Sequence, residues 1–136
     1  MAIRPAAGSR SERETIMAGT PDHPITITPT QGRVKVTFNG KVVADSTRAL
    51  TLQEASYPGV QYIPREDVDK SLLEKTAHST HCPYKGDASY YSINAGGKTA
   101  ENAIWSYETP KADVGEIAGH VAFYPNRVDK IEQTAA

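Results

Sequence analysis

The chain is short of most features that announce a function. Cys82 is its single cysteine. One thiol makes no internal disulfide and no four-cysteine zinc site, and it suits a reducing compartment. No apolar run approaches the ~20 residues that a membrane-crossing helix needs. The N-terminal stretch holding Arg4, Arg10 and Arg13 lacks the apolar segment of a signal peptide. These absences point to a cytoplasmic chain with no membrane partner. Charge of one sign is missing too: 15 basic against 16 acidic residues leave a net charge of −1. A nucleic-acid-binding domain normally carries a basic excess to neutralise phosphates, so no nucleic-acid partner is expected. Nothing in the composition speaks to an oligomeric state.

The 136 residues that are present, 38% of them hydrophobic, suffice for one domain with one modest core. Residues 1–30 mix Ala, Gly, Ser, Thr and Pro with scattered charges, punctuated by Pro21, Pro24 and Pro29. They read as a flexible leader ahead of a β-rich domain over residues 31–132. The alternation Ile25-Thr26-Ile27-Thr28 is compatible with an added edge strand.

From Arg33 the pattern is that of strands. Val34, Val36 and Phe38 alternate with Lys35 and Thr37, a period of two with one buried face. Asn39-Gly40 then separates this run from Lys41–Asp45, and such a pair favours a type I′ hairpin because both residues tolerate positive φ. Leu50, Leu52 and Glu54 keep strand spacing, and Tyr57-Pro58-Gly59-Val60 reads as a type II turn. A strand at Gln61–Ile63 and a helical turn from Pro64 to Val68 follow, and Leu72–Thr76 reads as a strand in preference to the end of that helix. Ala77–Asp87 reads as a polar loop. Ala88–Asn94 and Lys98–Tyr107 pair across Gly96-Gly97, a linker surrounds Pro110, and Gly119–Tyr124 turns at Pro125-Asn126 into Arg127–Ile131. The expectation is a mainly β, antiparallel, strand-rich single domain with one or two short helical turns.

Several blocks in this order carry a resemblance: Val34–Val43, Tyr62-Ile63-Pro64-Arg65-Glu66-Asp67-Val68, Thr80-His81-Cys82-Pro83-Tyr84-Lys85-Gly86, Ala103-Ile104-Trp105-Ser106-Tyr107, and Gly119 with Phe123-Tyr124-Pro125. Together they resemble the domain-of-unknown-function family 427, over roughly residues 31–131. The resemblance implies a small β-rich fold. The family carries a nucleotidyltransferase-style name, and that chemistry uses a glycine turn for the triphosphate followed closely by paired carboxylates for magnesium. Here Gly96-Gly97 is followed by no Asp-x-Asp. The pair Asp67-x-Asp69 lies upstream in a helical turn, where positions two apart do not share a face.

The chemistry-bearing residues gather around the Thr80–Gly86 block. Pro83 stiffens the turn after Cys82, and Gly86 permits positive φ or close backbone approach. A cationic Lys85 would favour a thiolate at Cys82, and a thiolate is a nucleophile. The opposing reading is a Cys82 packed as a small hydrophobe with Lys85 in solvent. His78, His81 and Cys82 are metal-type donors, but two are adjacent and only His120 lies elsewhere, so no metal and no cofactor are expected. Glu54 follows Leu50 and Leu52 at strand spacing, so it either points inward or caps the strand in solvent. An inward carboxylate needs a partner, for which Lys85, Arg48 and Arg65 are candidates. Seven tyrosines and one tryptophan outnumber the two phenylalanines. Such rings, with apolar bodies and polar tips, suit a core or a pocket wall equally.

Two functions fit this pattern. One is a small-molecule-binding domain, with or without catalysis, for a small anionic or planar ligand. Cys82, Lys85 and Glu54 would supply the chemistry, and Tyr62, Thr80, Tyr90, Trp105 and Tyr107 the binding surface. The other is a non-catalytic interaction or scaffold module in which the same residues serve folding.

Overall fold

Period-two alternation becomes eleven strands in the computed structural model, which describes residues 16–135. In chain order they are β1 (Ile16–Thr20), β2 (His23–Pro29), β3 (Arg33–Phe38), β4 (Lys41–Ser46), β5 (Leu50–Glu54), β6 (Val60–Pro64), β7 (Leu73–Cys82), β8 (Gly86–Ala95), β9 (Lys98–Ser106), β10 (His120–Phe123) and β11 (Lys130–Thr134). Eight form one antiparallel sheet in the order β1-β2-β5-β6-β10-β9-β8-β7, and three form a second in the order β11-β3-β4. Short 3₁₀ turns at Arg65–Asp67, Lys70–Leu72, Ala112–Ile117 and Pro125–Arg127 complete a mainly β single domain. No helix among the described residues is long and apolar enough to cross a membrane.

The large sheet buries both faces, and strand parity decides which side chain goes where. On one face Ile63, Ile93, Ile104, Val121 and Phe123 pack against Val34, Val36 and Val43 of the small sheet. On the other, Ile25, Ile27, Leu52, Tyr62, Tyr90 and Ala122 pack with Val114 and Ile117 of the Ala112–Ile117 turn. Neighbours split accordingly: Ile104 enters the first cluster while Trp105 packs against the second. The Asn39-Gly40 hairpin forms as expected, with φ of 50° and 78°. Its Asn39 Nδ2 also donates to the Ala95 carbonyl at 2.9 Å, tying the two sheets at one corner.

Four expectations need correction. The domain starts well before residue 31: β1 and β2 form a hairpin, β2 pairs with β5, and Ile25 and Ile27 are core side chains. Of the supposed leader, residues 1–15 lie outside the described residues. The prolines misled because Pro24 and Pro29 sit within or at the end of a strand, and Ile25-Thr26-Ile27-Thr28 is interior rather than an edge. The turn before β6 is not Tyr57–Val60. It is closed by Tyr57 N donating to Glu54 O at 2.9 Å, with Ala55 rather than Gly59 at positive φ. The polar stretch from Ala77 is strand, not loop, as far as Cys82. It forms the sheet's edge, where most side chains meet water, and water-facing edges read as loops in sequence. Finally, the linker around Pro110 contains the Ala112–Ile117 turn, which inserts Val114 and Ile117 into the core.

Candidate functional site

The shortened loop between β7 and β8 controls one key side chain. Lys85 N donates to Cys82 O at 3.2 Å, closing a tight turn, and Gly86 at φ 112° starts β8 in a conformation other residues resist. Lys111 N donates to Lys85 O at 2.9 Å, fastening the turn to the segment that follows Pro110. The lysine cannot reach water freely. It is only 7% exposed, and its Nζ donates to Glu54 Oε1.

Glu54 ends β5 beside Ile25 of β2, and its spacing from Leu50 and Leu52 does turn it inward. Its other oxygen, Oε2, lies 2.7 Å from His23 Nε2. The Tyr84 ring stacks on His23 with centroids 4.2 Å apart and planes 10° from parallel. Burial pushes the Glu54 carboxyl up, but the hydrogen bonds with His23 and Lys85, together with their charges, outweigh it and hold the carboxyl below its usual range. Both carboxylate oxygens are thus occupied.

These groups open onto a cavity of about 230 Å³ lined by Leu52, Glu54, Val60, Tyr62, Lys85, Tyr90, Trp105, Tyr107 and Tyr124. Trp105 Nε1 donates to the Tyr62 hydroxyl at 3.0 Å, and the two rings meet edge to face. The Tyr124 ring lies 4.5 Å from Trp105, centroid to centroid. Tyr90 OH is 2.9 Å from Thr80 Oγ1 and 3.4 Å from Tyr124 OH. Burial pushes the Tyr62 and Tyr107 phenols far above the ordinary phenol range and Tyr124 up to about 12, so all three remain neutral hydroxyls at physiological pH.

A count of donors and acceptors shows an imbalance. Tyr107 is 6% exposed, and its hydroxyl has no hydrogen-bond partner among the described residues. The Tyr62 hydroxyl accepts from Trp105 and has no acceptor there for its own proton. Lys85 has three N–H bonds but Glu54 as its one side-chain acceptor among the described residues, with Nζ 5.8 Å from the Tyr107 ring centroid. The cavity offers N–H donors of Lys85 and several tyrosine hydroxyls, each able to donate or accept.

Of the residues singled out in sequence, Glu54, Lys85, Tyr62, Tyr90, Trp105 and Tyr107 line this cavity together. Thr80 stands behind it, reaching it through Tyr90. Cys82 is not among its lining residues: half-buried at the end of β7, it packs against the same cluster of buried side chains. Sequence reasoning missed His23, which sat in the supposed leader, and Tyr124, which lay in the quoted Phe123-Tyr124-Pro125 block. Elsewhere His81 pairs with Asp87 at 2.7 Å in solvent, and the His78 ring meets Tyr90 at 4.4 Å. Among the described residues no group of His, Cys, Asp and Glu could hold a metal ion. Gly96-Gly97 is the β8–β9 hairpin turn, Asp67 binds Arg48 and Ser46, and Asp69 caps the Lys70–Leu72 turn. Each has a structural task.

A family model described as domain of unknown function (DUF427) matches residues 26–134. No curated protein matches the chain.

Proposed function

The chain belongs to the family described as domain of unknown function 427, a membership that names no ligand, and from that premise we propose that it binds a small planar molecule carrying an oxyanion, a carboxylate above all. The observation that carries this reading is the buried Lys85, whose spare donors face an aromatic-walled cavity together with the unpartnered Tyr107 hydroxyl. A ligand oxyanion would give these donors a charge-assisted acceptor. Trp105 and Tyr124 supply faces for a flat ring. About 230 Å³ corresponds to roughly seven or eight water volumes, the scale of one substituted six-membered ring.

Bond-making has less support than binding. Cys82, the one candidate nucleophile of its type, stands off the cavity, and Glu54 is engaged on both oxygens. A scaffold role has less support too. Among the described residues the exposed large hydrophobics are Val42 and Tyr57, which are scattered rather than a contiguous docking patch.

Trp105 is the only tryptophan in the chain and lines the cavity, so intrinsic fluorescence reports occupancy directly. Benzoate and benzamide are matched probes, one charged and one neutral. Saturable quenching or enhancement by benzoate, with benzamide binding at least tenfold more weakly, is expected from charge-assisted hydrogen bonds of about 1.5–3 kcal/mol. Failure of both probes to saturate the signal would refute the reading.

A further inference from the structure

A second cavity adjoins the first. It measures about 510 Å³ and lies on the side of the large sheet covered by the small one. Val36, Ile63, Phe123 and Ile131 give it an apolar lining, and Lys130 is its one charged lining residue. Val60 and Trp105 line both cavities, so these two side chains are the boundary between them.

The reason for this junction lies in the sheet. β5 pairs with β6 along Leu52–Val60, Thr51–Gln61 and Leu50–Tyr62. On its other side β6 meets β10 only at Ile63–Val121 and Pro64–His120. Beyond those two pairs the strands part. Val60 on β6 and Trp105 on β9 flank this region, and each lines a cavity on either side.

We infer that the two cavities form one elongated site, and that the ligand is amphipathic: a ring carboxylate in the Lys85–Tyr107 cavity, with an apolar tail running past Val60 and Trp105 into the space between the sheets. The inference rests on the proposed carboxylate-binding reading and specifies the remainder of the molecule. The chemistry of the two ends differs as such a ligand requires. The first cavity presents donors and rings, whereas the second presents aliphatic and aromatic hydrocarbon, a lining that rewards burial of methylenes. With space for roughly seventeen water volumes, the second cavity accommodates a chain of several carbons.

A series of benzoates alkylated opposite the carboxylate, from the parent acid to the hexyl compound, tests this by Trp105 fluorescence. Affinity should rise about fourfold for each methylene that leaves water, then level off once the cavity is full. The corresponding alkylbenzamides should remain weaker at every length, which separates the specific site from general greasiness. Ile131→Phe, which narrows only the second cavity and leaves Trp105 the sole tryptophan, should flatten the dependence on chain length. A benzoate that binds with no gain along the series would overturn the inference while leaving the carboxylate reading intact. A gain that Ile131→Phe leaves unchanged would also overturn it. A parent benzoate that does not bind would remove the reading and the inference together.

Discussion

The two faces of the eight-stranded sheet were made from the same strands by the same alternation, yet they are chemically unlike. Toward the small sheet the strands send Ile63, Ile93, Ile104 and Val121, all without exposure. Toward the other side they send Tyr62, Tyr90, Trp105 and, at the end of β5, a carboxylate. Aliphatic side chains offer no hydrogen-bonding group, so the cavity of about 510 Å³ on the first face is lined mainly by hydrocarbon. Rings with polar tips meet one another at hydrogen-bonding distance, so the smaller cavity on the second face, about 230 Å³, is walled by polar groups. The difference teaches that the polar character of a cavity here comes from the choice of side chains on one parity of ordinary strands rather than from a special loop.

That contrast can be broken from either side. The largest effect is expected on the packed face. Ile104 is fully buried between two sheets, so Ile104→Ala should cost about 2–5 kcal/mol in chemical unfolding. A cost under 1 kcal/mol would mean that this face is far looser than its burial indicates.

On the cavity face the expected signature is pH rather than sheer stability. The folded Glu54 carboxyl is held below its usual range, whereas in the unfolded chain it titrates at about 4.3. Its contribution is therefore present above that value and lost as pH falls through the lowered folded value. Glu54→Gln should reduce stability at neutral pH by on the order of 2 kcal/mol, because Lys85 is left without a counter-charge, discounted for the residual exposure of the pair. The wild-type advantage should shrink steadily below about pH 4.3. Parallel pH profiles of wild type and Glu54→Gln would deny the pair this role.

The smallest of these effects lies away from both faces. Gly40 has φ 78° with open space where a Cβ would go, so Gly40→Ala carries only a conformational cost, about 1 kcal/mol. Binding should not change. Loss of ligand affinity in this variant would show that the Asn39 corner transmits strain to the cavity.

Much of this was legible in the sequence because it was local. The β3–β4 hairpin follows from Asn39-Gly40, and the inward aim of Glu54 follows from counting by two from Leu50. What was hidden was non-local or masked by polarity. β2 looks like a leader because its burial depends on β5, a partner reached only after the β3–β4 excursion. β7 looks like a loop because an edge strand with water on its flank has little need for hydrocarbon. Cys82 shares a short turn with Lys85, and adjacency suggested cooperation. In the fold, the turn directs the lysine into the cavity and leaves the sulfur beside it. The parting of β6 from β10 leaves no mark at all, since it depends on how many residue pairs two distant strands can form.

Lys85→Met, titrated with benzoate and benzamide, bears most directly on the claim that the tyrosine-lined face is an anion site. It keeps the aliphatic stem and removes the ammonium. Benzoate affinity should fall at least tenfold while benzamide affinity stays near its wild-type value, in a protein whose Trp105 emission still reports a folded cavity. An undiminished preference for benzoate in that variant would contradict the assignment of the charge to Lys85 and of the site to this cavity.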